Sequence, residues 1–200
     1  MFKLKNKKIL YLSAVAAIAL PVSMATAAST NVDATAFFRA AITLTPTAMN
    51  FSNIDYSAAP TVAGDNVQLG TNSSISYNGV FSAGASPSPA AGTVAVATGT
   101  AGLIVDVSCD ATAAMDDGSG NEITVNNIEV IDIDNAAAYG GGNACAGTGT
   151  VSQSYTLGSG TDTFAFGGQI DGSTVSGTFS GGAYSTATGG DDIQVDVVYQ

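Results

Sequence analysis

Apolar and polar residues alternate along this chain in short runs, and a period of two is the mark of a half-buried strand. Ile75 and Tyr77 alternate with Ser74, Ser76 and Asn78, and Val94 and Val96 follow the turn residues Pro87, Pro89 and Gly92. Leu103, Val105 and Val107 point one way while Asp106 and Ser108 point the other. Ile123 and Val125 open a longer stretch through Ile133 whose apolar phase shifts at Asn126-Asn127, predicting a bulge or two short strands. Val151, Gln153, Tyr155 and Leu157 alternate again, then Phe164 with Phe166 and Val175 with Phe179. The chain closes on a predicted terminal strand of Ile193, Val195, Val197 and Tyr199, with Gln194 and Asp196 facing away. No stretch after Leu20 carries a period of 3.6 residues. The expectation is an all-β domain: an antiparallel β-sandwich of about eight to ten strands joined by turns. An outer-membrane barrel needs strands of about ten residues and girdles of aromatics. These runs are shorter, and aromatics make up only 8% of the chain.

One segment is patterned differently. Alternate residues Ala36, Phe38, Ala40, Ile42 and Leu44 make an unbroken apolar face, opposite a mixed face of Thr35, Phe37, Arg39, Ala41 and Thr43. Two readings stay open for this arm, residues 28–45. It is either the first strand of its own sandwich or a donor strand that fills a groove in the next subunit by β-augmentation. In the second case side chains two apart would enter successive pockets. Such head-to-tail contacts propagate into filaments.

The N-terminus places the protein. Lys3, Lys5, Lys7 and Lys8 precede an apolar stretch from Ile9 to Leu20, and Ala25-Thr26-Ala27 reads as a cleavage site, so residues 1–27 are expected to be a secretory signal peptide. Those 12 residues would rise only about 18 Å as a helix, short of a bilayer core of roughly 30 Å. No membrane insertion is expected, and the protein should be exported to the periplasm, cell surface or medium. An oxidising compartment favours pairing of the two cysteines, Cys109 and Cys145, as one structural disulfide. Residues 46–200 then form a single sandwich domain.

Charge removes whole classes of function. Without residues 1–27 the chain keeps one cation, Arg39, against 16 acidic residues, so its formal charge falls from −11 to −15 (1 − 16). One cation cannot neutralise a phosphate backbone, so no nucleic-acid partner is expected. With no His in the chain and no Lys after Lys8, the usual general bases and Schiff-base amines are missing, and a Ser/His/Asp triad is impossible. No enzymatic activity and no cofactor are expected. Asp116-Asp117-Gly118-Ser119-Gly120-Asn121-Glu122 is an acidic loop with oxygen donors suited to Ca²⁺, and Asp116, Asp117 and Glu122 are the candidate ligands. Counted from Asp116 it misses the EF-hand register, with Asn121 sixth and Asn127 twelfth, and solvated turns explain the same residues.

Three places carry a resemblance. Leu44-Thr45-Pro46 with Met49-Asn50-Phe51-Ser52-Asn53-Ile54 is similar to the opening segment of a bacterial family known as domain of unknown function 4402. Gly160 to Gly168 resembles that family's "G-x-A-x-F-x-V-G-G" strand, and Gly182-Ala183-Tyr184 with Ile193 to Gln200 resembles its close. The resemblance implies an immunoglobulin-like, pilin-like sandwich in a small exported protein, with a surface or fibre role. The terminal strand with penultimate Tyr199 is also similar to subunits of chaperone-assembled pili, although Ala187 stands where those carry a glycine. The expected function is therefore a structural or adhesive subunit of a fimbrium-like fibre. Its partners would be further copies of itself and a host or matrix surface. The alternative is an extracellular ligand-binding module assisted by calcium.

Overall fold

The computed structural model describes residues 36–200. Two compact units divide the chain, Met1–Phe37 and Phe38–Gln200. Of the first only Ala36 and Phe37 are described, both exposed, and the expected signal peptide lies outside the described residues. The second is an all-β sandwich whose strand pairs are antiparallel.

One strand organises the larger layer. β12 (Asp162–Ser176) carries β6 (Gly92–Thr98) against Asp162–Phe166 and, further along the same side, β3 (Asn66–Leu69) against Gly168–Asp171. Its other side pairs with β9 (Glu122–Asp132) over most of its length. β1 (Thr43–Thr47) extends the sheet beyond β6, and β4 (Ile75–Tyr77) extends it beyond β3. β8 (Ala113–Asp116) and the short β10 (Asn143–Ala144) lie along β9. Where β6 gives way to β3, the carbonyl of Leu69 comes so close to Gly167 that a Cβ there would collide with it. The runs Phe164/Phe166 and Val175/Phe179 are separate in the sequence pattern. Yet Phe164, Phe166 and Val175 lie on one strand ending at Ser176, because glycines 167, 168 and 172 serve close packing there rather than a turn, while Phe179 follows the strand.

The second layer is the sheet β11–β7–β13, made of Gln153–Thr156, Ile104–Cys109 and Val195–Tyr199. The predicted alternation holds on β7 from Val105 to Val107, with Asp106 less buried between them, but breaks at Ser108, which was expected to face away and is buried. Val105 and Val107 pack with Val197 and Leu157 into the same core as Phe164, Val94, Val96, Ile128 and Val130 of the large sheet. A small sheet of β2 (Ile54–Tyr56) and β5 (Phe81–Ala83) pairs with neither, and Phe81 joins the same core.

The phase shift at Asn126-Asn127 is a bulge within one strand. Asn127 has a φ of 47°, the pairing with β12 slips between Gly167 and Gln169, and Val125 and Ile128 are both buried despite odd spacing. Cys109 and Cys145 form the expected disulfide, with Cα atoms 5.1 Å apart. It ties the last residue of β7 to the residue after β10, so it bridges the two layers.

Candidate functional site

Two edge strands of the sandwich face each other. β1 has β6 on one side only, and β13 has β7 on one side only, among the described residues. On the β7 side the Gln194 carbonyl accepts from the Asp110 amide (3.0 Å), and the Gln200 amide donates to the Ile104 carbonyl (3.2 Å). By the alternation of an antiparallel pair, the backbone groups of Val195, Val197 and Tyr199 then point away from β7. The two edges run in opposite directions. At one end Tyr199 reaches Ala40, just ahead of β1; at the other, Ile193 and Val195 share a cleft with Pro46, Thr47 and Met49.

That cleft has a volume of about 540 Å³, and Val94, Val125 and Phe166 from the large sheet are among its walls. A second cleft of about 610 Å³ continues from it through the shared residues Met49, Phe51, Met115 and Tyr184. Its wall is aromatic. Phe179 stacks on Tyr184 with ring centroids 5.7 Å apart and meets Tyr56 edge-on at 4.9 Å. Asn53, Asp55 and Ser180 add polar groups to the same cleft. The mouth of the sandwich thus opens on two adjoining clefts, the first mainly apolar and the second with a mixed aromatic and polar wall.

The arm is rooted at the opposite end of that mouth. Tyr199 Oη donates to the Ala40 carbonyl (3.0 Å) and accepts from the Thr100 amide (2.6 Å). The Ala40 amide donates to Thr100 Oγ1 (2.7 Å), and the Arg39 guanidinium lies 5.1 Å from the centre of the Tyr199 ring. A cation over an aromatic ring near the surface contributes about 0.5–1 kcal/mol.

Of the five alternate arm residues singled out by sequence, Ala36, Phe38 and Ala40 are exposed and outside any strand. Ile42 is half-buried against the core, and Leu44 lies in β1, paired with Val96 of its own chain. The unbroken face of the sequence is therefore divided: its end serves the chain's own sheet, and Phe38, 87% exposed, serves no contact of the core. In the terminal strand Val195, Val197 and Tyr199 turn inward as expected, while Ile193 falls just before β13 and lines the first cleft.

The acidic loop spends its oxygens on its own backbone. Asp116 Oδ1 accepts from the Gly118 amide, and Asp117 Oδ1 from Ser119 (2.8 Å) and Asn121 (3.2 Å). Asp117 Oδ2 takes the Asn121 side chain at 2.7 Å, and this bond leads the set that holds its pKa below the usual value. Glu122 sits at the start of β9, paired with Asp116. No group of three or more His, Cys, Asp or Glu suited to a metal ion occurs among the described residues.

One carboxylate went unmarked by sequence reasoning. Glu129 is 4% exposed in the middle of β9. Its Oε2 accepts from the amides of Gly140 (2.9 Å) and Gly142 (3.1 Å), while Oε1 is buried without a hydrogen-bond partner. Burial raises its pKa, against the lowering effect of the two glycine bonds. The only signal was its position: a lone Glu between the apolar Ile128 and Val130 in a chain whose other acids are almost all Asp.

Comparison with known proteins finds no match to any family model, curated protein or solved structure.

Proposed function

We propose that this protein is a non-enzymatic, exported surface subunit that assembles into fibres by strand addition. One observation carries the reading: the edges of β1 and β13 lie across a mainly apolar cleft of about 540 Å³, and β13 has one side unpaired among the described residues. A strand laid in the mouth would bond to that side through backbone groups and send alternate side chains inward. The arm of another copy fits this occupant. Phe38 is an exposed aromatic without a core contact. Burying one such aromatic contributes about 1.5–3 kcal/mol before ordering costs. The disulfide supports export, since such bonds persist in oxidising compartments. The donor is residues 28–38 rather than the whole arm, because Thr43–Thr47 is already occupied in its own sheet.

Electron microscopy of the chain starting at residue 28 should show fibres, and the chain starting at residue 39 should remain monomeric. Fibres of equal length from both would overturn the proposal.

A second reading has its own support in the second cleft, where Tyr56, Phe179 and Tyr184 stand beside Asn53 and Asp55. This is the ligand-binding module, with calcium assisting. Calorimetric titration to millimolar Ca²⁺ tests the assisting ion: absence of heat removes it.

A further inference from the structure

The segment between Ala137 and Cys145 is a flap with two fixed ends. At Ala137 the amide donates to Thr71 Oγ1 (2.9 Å), and the carbonyl accepts from Thr71 Oγ1 (3.1 Å) and the Asn72 amide (3.0 Å). At Cys145 the disulfide holds one side, and the amide donates to the Ile128 carbonyl at 2.8 Å. Between these posts the flap is fastened by β10, which pairs Asn143 with Val130 and Ala144 with Glu129, and by three side-chain groups. Tyr139 Oη donates to Gln169 Oε1 (2.9 Å), and Glu129 Oε2 receives the Gly140 and Gly142 amides. At Gly142 a Cβ would stand 3.0 Å from the Glu129 side chain, so a larger residue there would press on it.

We propose that Glu129 makes this flap a pH-sensitive latch, closed while the carboxyl is protonated and released as it ionises. The geometry favours this because Oε1 is buried with nothing to bond to, on a carboxyl group whose Oε2 the flap covers. A carboxylate in that position loses its hydration, and lifting the flap would let water back to the group. Burial accordingly holds the group's pKa above the ordinary value. The groups facing it can be named. Tyr139 on the flap is titratable, and its phenol is pushed up by burial and by Glu129 itself. From β12 come the neutral Gly167 and Gln169, with Asp171 two residues on and bonded to Ser173 and Asn126; from the end of β3 come Leu69 and Gly70. Among the described residues no cation stands near to stabilise the ionised form, since Arg39 is rooted at Tyr199.

The sign follows from proton linkage. A closed state with the higher pKa binds more protons than the open one, so opening is favoured as pH rises. The opening constant should climb up to about tenfold per pH unit between the ordinary glutamate pKa and the raised one, then level off. Lifting the flap would also withdraw β10 and leave Glu129–Val130 as bare strand edge.

Hydrogen exchange at the Gly140 and Gly142 amides, corrected for intrinsic rates, measures this opening. In the wild-type chain protection should fall with rising pH by that factor, and in Glu129→Gln it should be level. A level wild-type profile, or an equal slope in the variant, would overturn the latch. Should the variant fail to fold, a carbon-detected titration of the wild-type Glu129 carboxyl decides: a midpoint above the ordinary range supports the latch, and one at or below it overturns it.

Discussion

Individual carboxylates in this protein pull stability in opposite directions with pH. Burial raises Asp171, but bonds from the Ser173 side chain and amide and from Asn126 together outweigh it, and its pKa lies below the usual value. A depressed folded pKa gives a contribution present above the unfolded value and lost as pH falls through the folded one. Denaturant melts between about pH 5 and pH 2 should therefore show a steeper loss in the wild type than in Asp171→Asn. An unchanged slope in the variant would show that Asp171 takes no part in the acid limb. Glu129 has the reverse sign: its raised pKa costs stability as pH climbs. Neither effect could be read from a single sequence. Asp171 stands in an Asp-Gly pair that looks like a turn, and the burial of Glu129 depends on a flap that returns to β9 after the strand has ended.

Among the elements, the disulfide sets the clearest expectation. It joins residues 36 apart and spans the two layers. Replacing both cysteines by serine should lower stability by about 2–5 kcal/mol, read as a drop in melting temperature. A loss below about 0.5 kcal/mol would mean that backbone pairing alone holds β10 in place. The pairing was legible from compartment and cysteine count, and the strands with clean alternation were legible too: β6, β7 and β13 lie where Val94, Val105 and Val195 put them. Strands of mixed character were not. β3 starts at a buried Asn66, and β8 reads Ala-Ala-Met-Asp, so neither shows a period of two. The mouth was hidden for another reason. Its walls come from residues 46–49 and 193–195, and only the long-range closure of the sandwich brings these together.

At the scale of the whole molecule, the charge governs how copies meet. A formal charge of −11, or −15 without the first 27 residues, makes domains repel until a specific contact forms. Fibres that form should lie singly at low salt and bundle side by side as ionic strength rises and screening shortens. Light scattering across a salt series checks this, and bundling unaffected by salt would remove that role for the charge.

The bond from Tyr199 to Ala40 also fixes where load is borne. It places the root of the arm beside the end of the chain, so the polypeptide enters and leaves this domain at one pole. Tension between the two termini would peel β1 from β6 and β13 from β7 starting at that pole, breaking bonds one after another. Strands unzipped in this way yield at lower force than strands sheared along their length. An isolated domain pulled by its ends is thus mechanically soft, and in the proposed fibre stiffness under traction would have to come from a strand added at the mouth.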